Sequence, residues 1–242
     1  MTDINGYGEL WPDPFGMDRA PKWVMPWLAP GPIALQALSE LGTPLHACQT
    51  GTYFDPDDLN AAEHYGEDRP KRSPLERAVH AAGPRLEWRL ERVWALDEES
   101  SDEDVQAYEK ASKAVAGRLI HPRCLDDYVY AAWHFAEIVD IDSENNPDED
   151  SPASRDVVSS PEFIQALEWA QAGVVVLQQS LPWPFTGVLP YSVNDNRPAH
   201  RALFAYARIL YAQSPRKAKQ WFRAMVYANP MDNMGARAFV NS

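Results

Sequence analysis

The sequence predicts an all-α fold, an irregular helical bundle, and three observations carry that reading. Apolar residues recur at spacings of three and four, as Phe163, Leu167, Ala170, Val174, Leu177 and Leu181 do, which lines one face of a helix. Ser73-Pro74, Ser160-Pro161 and Ser214-Pro215 each place a capping hydroxyl before a proline suited to the first helical turn. No two alternating apolar runs are joined by a tight hairpin turn.

Taken in order, the first 32 residues mix proline and glycine with Trp11, Phe15, Trp23 and Trp27. So many bulky rings suit an irregular segment pinned on a core rather than a solvated tail. "PIALQALSELG" reads as a short helix closed by Gly42, and residues 43–72 as mostly loop. Ser73-Pro74 opens a helix that breaks at Gly83-Pro84 and resumes to about Leu96. "DEESSDED", residues 97–104, is a loop leading into an acidic helix start, where the helix dipole favours negative charge. Val105, Tyr108, Val115 and Leu119 mark the expected buried stripe of that helix. "LDDYVYAAWHFAEIV" has little polar surface and reads as a central core helix. Residues 140–156 hold seven acids, one arginine and two prolines, the composition of an exposed loop. The expected organisation is therefore an acidic helical region over 1–142, an acidic loop or linker over 143–157, and a helical region over 158–242. The two helical regions can pack as one domain.

The last region carries a further pattern. Pro198 stands in the first turn of a helix bearing Leu203, Phe204, Ala207 and Leu210. Ser214-Pro215 starts a second helix, with Ala218, Phe222 and Met225 on one face, and Asn229-Pro230 stops it. Asp232 can cap a third helix, in which Ala236, Phe239 and Val240 would cover the apolar end of the pair. The small residue Ala218, the aromatic Phe222 four later and Pro230 eight after that resemble the second helix of a tetratricopeptide repeat. The resemblance spans roughly 40 residues and implies a helical hairpin with a capping helix, of the kind that serves protein interaction. Ala202 stands where that family places a bulky residue and Tyr206 where it places a small one, so no peptide-groove residue carries over.

The chain of 242 residues has a formal charge of −13, unevenly spread. From Arg197 onward eight bases face one acid, a charge of +7, which leaves −20 on residues 1–196. Overall acidity argues against direct attraction to nucleic acid or anionic lipid. The start shows neither a basic n-region nor an apolar h-region, and no apolar run approaches a bilayer span. Two cysteines make no disulfide framework, so the expected compartment is the cytoplasm.

Catalytic signatures are lacking: no phosphate loop, no HExxH, no nucleophile elbow, and "GYGELW" lacks the third glycine of a dinucleotide site. His134, a helix turn from Tyr130 and Glu137, reads as a packing histidine. His46, Cys48, His121 and Cys124 are four zinc-competent donors in two close pairs, but the first spacing is unusual for zinc and Pro122 restricts the second. The acidic run 140–151 echoes a calcium loop, yet Asn145 replaces the turn glycine and Ser151 the bidentate glutamate. Neither metal nor cofactor is expected. The favoured expectation is a non-enzymatic interaction module that binds a peptide or acidic partner through Arg201, Arg208, Lys217, Lys219 and Arg223. The alternatives are an acidic decoy for a nucleic-acid-binding protein, using residues 97–104 and 140–156, and a metal-dependent enzyme.

Overall fold

A computed structural model describes residues 23–56, 73–93, 96, 98–141 and 154–241. Helices α1 (Pro32–Leu41), α4 (Leu125–Ile138), α6 (Pro161–Ser180), α7 (Arg197–Gln213) and α8 (Pro215–Ala228) build its body, with α2 (Pro74–Ala82), α3 (Asp102–Ala111), α5 (Arg155–Val158) and α9 (Ala236–Asn241) around them. Helix dominates, as the apolar spacing requires, and no described helix is long and apolar enough to cross a membrane.

α6 is the axis. Ser160 caps it by accepting from the Phe163 backbone N–H, and Pro161 occupies the first turn. It is buried all round between Ala172 and Gln178, and α1, α4 and α7 all pack on it. Gly173 permits the closest approach: a Cβ there would lie 3.1 Å from Tyr128 Cβ on α4 and 3.6 Å from Ala202 Cβ on α7. Any larger residue would wedge three helices apart. Tyr128 is fully buried, and its hydroxyl donates to the Pro122 carbonyl at 2.8 Å. One hydrophobic cluster runs from Met25 to Phe239, so α4, N-terminal to the acidic run, shares its core with α6 to α9. The acidic run itself, residues 142–153, lies outside the described residues.

The aromatic N-terminal segment is pinned from Trp23 onward; residues 1–22 lie outside the description. Buried Gln178 on α6 accepts from Leu28 N–H at 2.8 Å and donates to Leu28 C=O at 3.0 Å, satisfying an irregular backbone as a strand partner would. Trp27 meets Trp183 edge-on at 4.8 Å, and Met25 N–H donates to Phe185 C=O.

At the other end, Ser214 alone separates α7 from α8. Asp232 accepts from the Ala236 and Arg237 N–H groups and so caps α9, after a turn in which Gly235 has φ +71°. Phe239 stacks on Phe222 with centroids 4.5 Å apart, and both rings meet Phe204 and Tyr211 edge-on. Arg237 donates to Pro230 C=O and lies 3.6 Å from Glu76, tying α9 to α2.

Three expectations require correction, because strands are present; the first is the reading of 43–72 as mostly loop, since Ala47–Phe54 forms a strand. The segment after Gly83-Pro84 is not a resumed helix but strand β2 (Arg85–Leu90), antiparallel to β1 (Ala47–Phe54). The irregular chain after α6 adds a third path: Trp88 N–H donates to Val188 C=O and Val188 N–H to Leu86 C=O, both at 2.8 Å. Gly187 makes room for it, since a Cβ there would lie 2.6 Å from the Trp88 ring. These partners are distant in sequence, so no hairpin signal announces them. The helix after Ser101 ends at Ala111, and Val115 and Leu119 belong instead to a hairpin of β3 (Lys113–Val115) and β4 (Arg118–Ile120). Ala116 and Gly117 both take positive φ at its turn, and Leu119 is 64% exposed.

Candidate functional site

The five basic residues marked in the sequence occupy three different environments. Arg208 is 2% exposed, with its guanidinium carbon 5.3 Å from the Phe239 ring centre, and belongs to the core rather than to a surface. Arg201 forms a bidentate pair with Asp126 on α4, Nε to Oδ1 at 2.6 Å and Nη2 to Oδ2 at 2.7 Å. Lys217, Lys219 and Arg223 lie on α8, where the structure adds Arg216 to the same outer side.

α8 is amphipathic in a simple way. Ala218, Trp221, Phe222 and Met225 face the core, and Trp221 meets Tyr206 edge-on at 5.1 Å. Arg216, Lys217, Gln220 and Arg223 are exposed and recur at helical spacing, while Lys219 is half-buried. The helix contains no acid, and Arg216, Lys217 and Arg223 make no ion pair with any described residue. The Arg223 guanidinium sits 6.0 Å from the Trp23 ring, leaving its charge facing water.

A second feature is a cleft at the N-terminal end of α4. A cavity of about 450 Å³ between the exit of β2, the start of α4 and the start of α7 adjoins one of about 660 Å³ that extends to α3 and His121. Their shared wall includes Glu91, Arg92, Val93 and Arg123. Here the charges are answered within the chain: Arg201 holds Asp126, Arg123 holds Glu91, and Arg89 holds Asp195 at 2.5 Å. Asp127 accepts from the Tyr108 hydroxyl and from His121 N–H, and the Tyr108 and His121 rings lie 5.0 Å apart.

Histidine, cysteine and carboxylate thus meet at His121, Cys124 and Asp127, but the electrostatics oppose nucleophilic chemistry. Burial, with the Asp127 carboxylate nearby, pushes the Cys124 thiol up to about 12, so it stays protonated at neutral pH. Burial also lowers the basicity of His121, and burial with the bond to Asp127 raises the Tyr108 phenol. Of the four zinc-competent residues, His46 and Cys48 are exposed at the start of β1, whereas Cys124 is buried at the head of α4. Among the described residues no three His, Cys, Asp or Glu side chains are grouped to hold a metal ion. His134 is exposed, edge-on to Phe135 at 5.2 Å.

Sequence reading overlooked Asp126 and Asp127 and took Tyr108 only as part of a buried stripe, because their roles depend on partners 75, 6 and 19 residues away. It also passed over His200, which is buried with Nε2 2.7 Å from Leu189 C=O, and whose burial drives its pKa down to about 4. Comparisons of the chain with protein-family models, with curated proteins and with solved structures yield no match.

Proposed function

We propose that this chain is a non-enzymatic protein-interaction module that takes an acidic segment of a partner on the outer face of α8. One observation carries the reading. Arg216, Lys217 and Arg223 are exposed on one side of a helix that has no acid, and no described carboxylate pairs with them. Exposed unpaired cations attract an acidic partner and hasten its docking. The cleft at α4, by contrast, spends its charges on internal pairs. Lys219 borders the face, Arg201 serves α4, and Arg208 supports the hairpin from within. The α7–α8 hairpin with α9 is read as a repeat-like pair closed by a cap, on the strength of buried Ala218 and Phe222 and of the Phe222–Phe239 stack.

The test is a charge reversal. Arg216→Glu, Lys217→Glu and Arg223→Glu, combined, are compared with the wild type for partners captured from the native host. They are also compared for binding of a terminally blocked tetraglutamate peptide across a salt series. Loss of both, with unchanged melting, supports the reading. Retention of the partner by the reversed protein, with loss when Asp102 and Glu103 are neutralised, replaces it with the decoy reading.

A further inference from the structure

Arg85 opens β2 and is 4% exposed, an unusual place for a guanidinium. It is sandwiched by aromatic faces: its central carbon lies 3.7 Å from the Tyr227 ring centre and 5.2 Å from that of Phe54. Nη1 donates to the Tyr227 carbonyl near the end of α8. The other edge is different. Among the described residues, Nε and Nη2 are buried without a well-formed hydrogen bond, and so is the Tyr227 hydroxyl. No described carboxylate pairs with this cation. Buried N–H groups that have lost water without a matching acceptor carry a desolvation penalty, larger when charged, which Tyr227 offsets only in part. That penalty lowers the Arg85 pKa to about 10.

The same molecule shows what such an edge is built to hold. Arg201 presents its own Nε and Nη2 to Asp126, one to each carboxylate oxygen. This is the fork geometry in which guanidinium matches a planar two-oxygen anion. We propose that the Nε–Nη2 edge of Arg85 is a binding site for a single carboxylate group. A carboxylate fits better than a phosphate because one cation stands between two flat rings. A monoanion neutralises it, whereas a dianion would leave charge buried uncompensated. Two half-buried rings, Phe54 and Trp23, border the cluster; Trp23 lies 6.5 Å from Tyr227 and carries Arg223 on its face. The site is distinct from the outer face of α8 and does not depend on the docking reading.

The experiment titrates the full chain with sodium acetate against sodium chloride at equal ionic strength, reading tryptophan fluorescence and melting temperature. A ligand that binds only the native state raises the melting temperature by mass action. The expected result is a saturable response to acetate in the wild type that chloride does not produce. Arg85→Met, which keeps the stem between the rings, weakens it by about tenfold or more, the scale of one charge-assisted pair. Arg85→Lys, which keeps the charge but loses the fork, weakens it too, and this arm decides the matter if the methionine variant does not fold. The reversed α8 protein responds to acetate as the wild type does, so a failed docking reading leaves this site standing. Displacement of acetate by blocked tetraglutamate assigns the group to a chain-borne carboxylate. Acetate binding that the peptide leaves untouched assigns it to a small free acid. Equal responses to acetate and chloride, or undiminished acetate affinity in Arg85→Lys, overturn the proposal.

Discussion

The helical body and the strand-bearing edge of this protein are held together by different physics. Across α4, α6, α7 and α8, cohesion comes from contiguous apolar burial: Tyr128, Phe163, Trp169, Leu203 and Phe222 are fully enclosed, and Gly173 sets how near the helices come. Around β1, β2, α3 and the β3–β4 hairpin, burial of Leu90, Val115 and Ile120 is joined by side chains bonding to distant groups. α3 buries no residue completely and is held by Tyr108 donating to Asp127. Asn196 accepts from Leu90 N–H and donates to the Trp88 and Pro190 carbonyls, fastening β2 to the chain before α7. Gln36 clasps the hairpin from both sides, donating to Ala114 C=O and accepting from Ala116 N–H. The body is therefore most sensitive to cavities, and the edge also to the loss of single polar contacts.

The largest expected effect tests the body. Phe239→Ala removes a ring stacked on Phe222 and leaves a cavity among Phe204 and Tyr211, at about 3–5 kcal/mol. Thermal and urea unfolding should show a clear drop in stability, together with aggregation as the apolar end of the hairpin is uncovered. If residues 231–242 can be deleted without change, α9 does not close this end.

Next comes a pH dependence where body meets edge. His200 is neutral in the fold because burial holds its pKa near 4, while the unfolded chain takes up a proton near 6.5. The unfolded state therefore binds more protons as pH falls. Stability from this group is complete above pH 6.5, declines as pH falls from there, and levels off below about 4. The decline amounts to roughly 3 kcal/mol from this group alone. Denaturation midpoints between pH 7 and 4 would reveal it, and His200→Gln should flatten that part of the curve.

The ion pair between α4 and α7 comes third. Arg201→Ala strands the Asp126 carboxylate, whose side chain is 10% exposed, whereas Asp126→Asn frees an arginine that is 39% exposed and can reach water. The first change should cost about 2 kcal/mol and the second less, because only the first leaves charge in a poorly solvated place. Equal costs would mean that the pair behaves as an ordinary surface contact. The smallest effect belongs to the start of α2, where Ser73 and Glu76 form a reciprocal capping box. Ser73→Ala should lower stability by about 1 kcal/mol, visible as a modest melting shift.

Helix starts were legible in the sequence because their chemistry is local. Ser160 and Ser73 cap within three residues, whereas Ser214 makes no side-chain cap bond, although Pro215 still begins α8. The apolar stripes of α6, α7 and α8 follow from periodicity alone, and the placement of Phe239 follows from the stripe it must cover. The alternation Leu86, Trp88, Leu90 was legible too, yet it cannot be told from a helix continuation without its partner strand, which begins 38 residues earlier at Ala47. Asp102–Ala111 and the hairpin after it look like one stripe until the positive φ of Ala116 and Gly117 turns the chain back.

Charge shows the same division. Sequence by itself determined that the last 46 residues carry an excess of bases and that α8 has no acid to answer them. Only the tertiary structure decided which of those bases face water. Arg208 went into the core, Arg201 went to Asp126 from α4, and Arg216, Lys217 and Arg223 were left outside. The structure likewise put Arg85 between Tyr227 and Phe54, although nothing in "RLEWRL" distinguishes its first arginine from its second. The reason is physical: hydrophobic periodicity and capping are set by neighbours along one helix or turn, whereas desolvation and ion pairing depend on groups that only the packed chain brings within a few ångströms.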